Sequence, residues 1–318
     1  MNIDNIIMKL QDIGLKITAS KLKIGRWADV KHLDGHTYGY IVNTEKNICS
    51  WLRRGTDIKG TFKINDSAPY VPNNKFKQQI RDQKRVQENA YFLKAQELAK
   101  QYFNIEDVGN TCKYLISKKV DKFNCKTDCY GNLIIPIRKL IQDKNGNTNA
   151  YIRTLQMISP DGVKRLGFGG QKQDGMSMLN FPLRLLPKPD NKEAMSNFAG
   201  RIIIAEGYAT AATIAKFTTD LCVMSVDAGN ILPVVKQIRI AYPKAKLVIA
   251  ADNDLKLRET TNGSNKWVWS NTGVEYAISC QNEINCMVVI PPTGMDWNDC
   301  YIQDGIVSTA QLFFQQIL

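Results

Sequence analysis

An α/β fold built on a parallel sheet is predicted for residues 200–318 of this 318-residue chain, and three observations predict it. Short apolar, β-branched runs at Ile202–Ala205, Leu221–Ser225, Leu247–Ala251 and Met287–Ile290 read as buried strands. They alternate with helical patterns at Tyr208–Phe217, Asn230–Ala241, Thr272–Gln281 and Val307–Gln316, and that alternation implies parallel pairing with right-handed crossovers. Acids stand where three of the strands end: Glu206, then Asp252 and Asp254, then Asp296 and Asp299. Ligands of open α/β sheets bind beyond the carboxyl ends of the strands, so these five carboxylates predict a divalent-metal site.

Charge separates this segment from the rest. Net charge is +12; residues 1–200 hold 33 Lys+Arg against 19 Asp+Glu, and residues 201–318 hold 9 against 11. A basic body joined to a mildly acidic, carboxylate-lined module suits an enzyme that grips a polyanion and works on it with metal ions. No apolar run approaches the roughly 20 residues of a membrane span, so no membrane partner is expected. The first residues lack the basic and apolar regions of a signal peptide, and eight cysteines without such a signal predict free thiols and a cytoplasmic location.

Four segments are expected. Residues 1–72 form a small β-rich module, with a first helix capped by Asp4 and ended by Gly14, and strands at Tyr38–Val42 and Asn47–Leu52. Trp27, Trp51, Arg53 and Arg54 interleave aromatic and basic character there and are the candidates to contact DNA, although such aromatics also serve as the core of a small sheet. A proline-containing linker at 67–74 leads into a charged helix, 73–104, with Phe76, Ile80, Ala90, Leu93, Leu98 and Tyr102 as its apolar stripe. Residues 105–199 are a basic α+β segment: a helix over 107–118, strands at Gly131–Ile137 and Tyr151–Ile158 joined by a turn at 143–146, and a second linker at 181–191. Between strand and linker lies a glycine-rich stretch containing Lys164, Arg165, Gly169, Gly170 and Lys172. Glycines let backbone approach a phosphate and the cations add charge. No Gly-Lys-Ser/Thr closes it, so it is no Walker loop, and a helicase motor would be a separate protein.

Read together, Ile204-Ala-Glu206-Gly207-Tyr-Ala-Thr210, Asp227-Ala-Gly-Asn230, Ala251-Asp252-Asn253-Asp254 and Asp296-Trp-Asn-Asp299 resemble a Toprim domain, the module shared by bacterial replicative primases, topoisomerases and some nucleases. The Glu-Gly-Tyr-Ala-Thr and Asp-Trp-Asn-Asp forms are most similar to primases of conjugative plasmids and phages, the TraC type. Upstream, Tyr114-Leu-Ile-Ser-Lys-Lys119, Gly131-Asn-Leu-Ile-Ile-Pro136, Leu155–Lys164 and Gly169-Gly170 match that family in order, so the resemblance covers about residues 105–305.

The resemblance implies synthesis of short RNA primers on a single-stranded DNA template from ribonucleoside triphosphates. Glu206 takes the place of the family's glutamate, Asp252 and Asp254 that of its two-aspartate motif, and Asp296 and Asp299 stand in the last acidic cluster. Mg²⁺ or Mn²⁺ is the implied cofactor, with Glu206 either a ligand or a general base. Arg153, Lys164, Arg165 and Lys172 are expected to hold template and nucleotide. The family's glycine after the second aspartate is replaced by Leu255-Lys-Leu-Arg258, which leaves Lys256, Arg258 and Lys266 as candidates to hold the triphosphate. Zinc is not expected: the chain has only His32 and His36, no Cys-x-x-Cys, and no fourth ligand for Cys112, Cys125 and Cys129. Two other functions fit the same residues. A Toprim nuclease would use the metal to activate water, and a non-catalytic single-strand-binding protein would keep the fold alone.

Overall fold

The computed structural model describes residues 3–64, 74–109, 112–144, 148–180, 192–259 and 267–317. The chain forms two compact units, Met1–Ala90 and Tyr91–Leu318. The expected linkers at 67–74 and 181–191 fall outside the described residues almost entirely, and the turn at 143–146 in part.

In the first unit, α1 (Ile3–Asp12) precedes an antiparallel meander of β1 (Ala28–Lys31), β2 (Thr37–Asn43), β3 (Ile48–Arg53) and β4 (Lys59–Lys63). Tyr40 pairs with Trp51 and Val42 with Cys49. Side chains alternate between faces, so these four residues share one face, and Tyr40, Val42 and Cys49 are buried with Ile6 and Leu10 of α1. Gly14 is required where α1 ends. Its φ is +91°, and a β-carbon would lie 2.3 Å from Nε2 of His32. His32 is itself a buried core residue: Nε2 lies 2.7 Å from the Ile13 carbonyl, Nδ1 accepts from the Asp34 N–H at 2.9 Å, and the ring stacks on Tyr38.

The unit boundary falls within α2 (Asn74–Asn104). The stripe expected on this helix shifts. Leu93 is 65% exposed and Ala90 is exposed, whereas Ala95, Leu98 and Tyr102 are buried, and Leu98 and Tyr102 pack with Ile134, Ile152 and Leu155. The side chains of Phe76 and Ile80 lie outside the described residues.

The second unit continues with α3 (Lys113–Lys118), six residues later than the expected helix start, because the Asp107 carboxylate is taken up by Lys122 and by the N–H groups of Gly109 and Thr127 instead of capping a helix. Then β5 (Lys126–Thr127), β6 (Leu133–Gln142), β7 (Thr148–Ile158) and β8 (Lys164–Leu166) form an antiparallel sheet in that order, with β8 at one edge.

A five-stranded sheet follows. β9 (Ser177–Met178) and α4 (Lys192–Asn197) lead to β10 (Arg201–Ala205), α5 (Tyr208–Phe217), β11 (Leu221–Met224), α6 (Ile231–Ala241) and β12 (Lys246–Ala250). A hairpin of β13 (Lys256–Glu259) and β14 (Trp267–Ser270), α7 (Thr272–Glu283), β15 (Met287–Val289) and α8 (Trp297–Phe314) complete the unit. The strand order is β15-β12-β10-β11-β9; the first four are mutually parallel and β9 pairs antiparallel with β11. Alternation along β10 builds both cores: Ile203 and Ala205 pack with Tyr208, Trp297 and Phe313, whereas Ile202 and Ile204 pack with Val234, Ile238 and Ala277. The predicted α/β class is therefore observed. The last helix begins at Trp297, ten residues before the expected start. Gly305, at φ +82°, breaks the helical periodicity and concealed the first half.

Candidate active site

Glu206 follows the last residue of β10, and Gly207 starts α5 as its N-cap. Asp252 lies just beyond β12, where Thr210 of α5 donates from Oγ1 to Asp252 Oδ1 at 3.1 Å. Asp254 faces the same cleft because the chain has left the pleat. Asn253 between them donates its N–H to Met295 O at 3.0 Å and its side chain to Pro291 O at 2.7 Å, and its carbonyl accepts from Gly294. Gly273, at the start of α7, is pressed against this turn; a β-carbon would lie 2.3 Å from Asp252 O.

Two clefts meet at Asp252. One, about 310 Å³, is lined by Glu206, Asp227, Asp252, Asp254, Gly273 and Tyr276. The other, about 450 Å³, has Tyr114, Ser117, Lys118 and Lys164 facing Gly207, Thr210, Asp252 and Asp296. Burial, then the charges of Glu206 and Asp296, push Asp252 up to about 8 despite the Thr210 hydrogen bond. Burial also raises Asp296, with the Asp299 charge adding to it and N–H bonds and Lys118 opposing. A bound cation would relieve the burial and like charge that raise both groups.

Among the described residues no three His, Cys, Asp or Glu side chains converge as a ready-made metal cage. Mg²⁺ does not need one: it typically takes one or two carboxylates and completes its shell with water and substrate phosphates. The all-oxygen donors of the first cleft, with no lysine or arginine among its described lining residues, fit a hard divalent cation.

Other expected residues are placed as follows. Asp299 lines neither cleft; with Asp296 it forms a capping box on α8, Asp296 Oδ1 accepting from Asp299 N at 2.8 Å and Asp299 Oδ2 from Asp296 N at 3.1 Å. Lys164 and Arg165 lie on β8, and Lys164 Nζ reaches to within 3.8 Å of where a Gly207 β-carbon would stand. Arg153, on β7, donates to Gln171, and Lys172 forms an ion pair with Asp227. Gly169 and Gly170 form a turn seated on α2 and β7. Lys256 and Arg258 fall on β13, with their side chains outside the described set, and Lys266 lies outside the described residues. In the first unit, Trp27 is 46% exposed with the Arg54 guanidinium 6.0 Å from its ring, and Arg54 pairs with Asp29 at 2.6 Å. Trp51 is half-buried and Gly60 packs against its ring; Arg53 is cross-strand to Tyr38.

Sequence reasoning passed over Asp227, Tyr114, Lys118 and Thr210 as site residues. Asp227 repeats the strand-then-acid pattern after Leu221–Ser225, and that signal was available. Its approach is strained: Val226 holds φ +79°, where a β-branched residue is a true outlier. Buried Asn230 stabilises the turn: its two amide hydrogens are shared among Ser225 O at 2.7 Å, Gly175 O at 2.8 Å and Lys172 O at 3.2 Å, and its Oδ1 accepts from Asp174 N, which joins the glycine-rich loop to the end of β11.

Residues 201–306 match the model of the Toprim domain. Two Escherichia coli proteins named DNA primase TraC are each 27% identical, over 234 and 238 residues, 73% and 74% of this chain. The chain spans 20% and 15% of their lengths. Among solved structures, the DnaG primase catalytic domain bound to ssDNA aligns with a TM-score of 0.42 at 11% identity over 72% of this chain and 79% of that one. The Aquifex aeolicus primase (zinc-binding and RNA polymerase domains) aligns with a TM-score of 0.39 at 11% identity over 99% and 83%.

Proposed function

We propose that this chain, which carries a Toprim domain related in sequence to the TraC primases, is a DNA primase making short RNA primers on single-stranded DNA. The observation that supports it most is the pair of clefts joined at Asp252, one carboxylate-lined and one bearing Lys118 and Lys164. Primer synthesis needs both. A 3′-hydroxyl attacks the α-phosphate of a ribonucleoside triphosphate, a new P–O bond forms, and the bond to pyrophosphate breaks.

Glu206, Asp252 and Asp254 are the residues that would hold Mg²⁺ or Mn²⁺, one or two of them at a time, and the ion would lower the hydroxyl's pKa and shield phosphate charge. Asp227 lines the same cleft, where Lys172 pairs with it. Glu206 serves as a ligand or takes the hydroxyl proton as general base. Lys118 and Lys164 neutralise the triphosphate, and Gly207 leaves room for it at the start of α5. Arg153, Arg165, Gly169 and Gly170 are assigned to the template, and Lys256, Arg258 and Lys266 remain the candidates of the sequence to hold the triphosphate. Trp27, exposed beside Arg54, is the DNA-contacting pair we assign to the first unit, whereas Trp51 packs against the core of the sheet and Arg53 follows it on the same face. Asp296 adds charge to the second cleft, while Asp299 acts through its cap. A separate replicative helicase, in the cytoplasm of a plasmid- or phage-bearing cell, supplies the single strand. Among the described residues no helix is long and apolar enough to cross a membrane.

The test is de novo synthesis on single-stranded DNA with labelled NTPs and Mg²⁺ or Mn²⁺. Products of a few nucleotides that require all three components support the reading. No product under conditions where an established primase works overturns it, and metal-dependent DNA cleavage without NTPs moves the assignment to a nuclease.

A further inference from the structure

The turn after β8 presents one aromatic ring to solvent and permits no other side chain. Gly167, Gly169 and Gly170 each face a neighbour too closely for a β-carbon to fit without movement. At Gly170 it would lie 2.1 Å from Thr154 Oγ1, at Gly167 3.1 Å from Leu98 Cδ2, and at Gly169 3.3 Å from Lys94 Cγ. Gly169 also holds φ +74°. Hydrogen bonds from Gly167 N to Leu155 O at 2.8 Å and from Gly170 N to Gly167 O at 3.1 Å fix the turn. Phe168, the single residue here with a side chain, is 92% exposed.

Isolated exposed apolar residues are ordinary on protein surfaces. This one differs in its support and its neighbours. The turn is seated on α2 and β7, so the ring stands on a braced backbone. Exposed Lys164 and Arg165 precede it on an edge strand, and Lys172 follows it. At most about 14 Å of chain separates Phe168 from Lys164, which lines the cleft at Asp252. An exposed ring braced among cations has the make-up of a base-stacking platform: the ring takes a π-face and the cations take phosphates.

We infer that Phe168 stacks an unpaired nucleobase of the single strand, with exposed Arg165 taking a phosphate of that strand, a few residues along the chain from the cleft that Lys164 lines. The inference rests on the reading that this unit grips single-stranded DNA.

Binding of labelled oligo(dT) to the full chain, without NTPs or divalent metal, tests it. Phe168→Ala should bind roughly tenfold more weakly, and Phe168→Trp should restore binding to within about twofold of wild type, since a larger ring stacks equally well. On a strand of the same length with abasic sites, wild type and Phe168→Ala should bind equally. Unchanged oligo(dT) binding by Phe168→Ala, an equal loss on the abasic strand, or a wild type that binds no oligo(dT) overturns the inference. Primer synthesis is scored separately. A wild type that primes while Phe168→Ala binds normally sinks this inference alone, and a Phe168-dependent binder that never primes sinks the primase reading alone.

Discussion

Thr210, in the first turn of α5, donates its hydroxyl to Asp252 Oδ1 at 3.1 Å, and so ties the strand end carrying Glu206 to the strand end carrying Asp252. This bond opposes the burial and like charge that push Asp252 up. Thr210→Val keeps the shape and removes the donor. The variant should need roughly tenfold more Mg²⁺ for half-maximal synthesis at pH 7, because about 1.4 kcal/mol of support for the ionised carboxylate is lost. A metal titration of primer synthesis checks this.

Asp254→Ala should reduce synthesis at least about a hundredfold, as expected when a group holding the reacting centre is removed. Single-stranded DNA binding should stay within about twofold, because the carboxylate repels phosphate rather than gripping it. Equal loss of both activities would overturn the placement of Asp254 at the reacting centre.

Asp252 also links stability to pH. Its folded value near 8 lies above the roughly 4 of an unfolded aspartate. The folded state therefore holds a proton that the unfolded chain releases. The stability this proton contributes is complete below about pH 4 and is lost as pH rises to about 8. Urea unfolding in EDTA should show that decline, Asp252→Asn should flatten it, and Mg²⁺ should offset it most at the alkaline end. A wild-type profile with the same slope as Asp252→Asn would refute the assignment.

Gly273→Ala should destabilise the second unit by about 1–3 kcal/mol, since its β-carbon would lie 2.3 Å from Asp252 O and backbone must shift. Moving that carbonyl also moves the Asp252 turn, so synthesis should fall further than the lost folded fraction explains. Denaturant unfolding paired with a priming assay separates the two effects.

Asn230→Ala removes the amide that donates to the carbonyls of Gly175 and Ser225, while the Lys172 carbonyl keeps the Gly175 N–H at 2.8 Å. The expected cost is about 2–4 kcal/mol, seen as a fall of roughly 5–15 °C in the melting temperature. Asn230→Asp should not rescue it, because a carboxylate accepts and cannot donate to those oxygens.

The sequence by itself determined the four parallel strands, the helices between them and the acids at the strand ends. Those features are local: a β-branched run, a capping position or a carboxylate at a strand's end is written in adjacent residues. It also carried the Toprim pattern, because Glu206, Asp252 and Asp254 keep their order and surroundings along the chain. Tertiary structure alone decided which residues share a cleft. Lys118 and Lys164 are distant in sequence from Asp252, and only the docking of α3 and β8 beside the start of α5 puts them on one cavity wall. The same packing set Asp296 into that cavity wall and left Asp299 outside it, with Lys118 Nζ 3.9 Å from Asp299 Oδ1. Two carboxylates three residues apart look alike in a sequence, and both join the same capping box; the difference between them is which one the packing of α3 sets into the cavity wall.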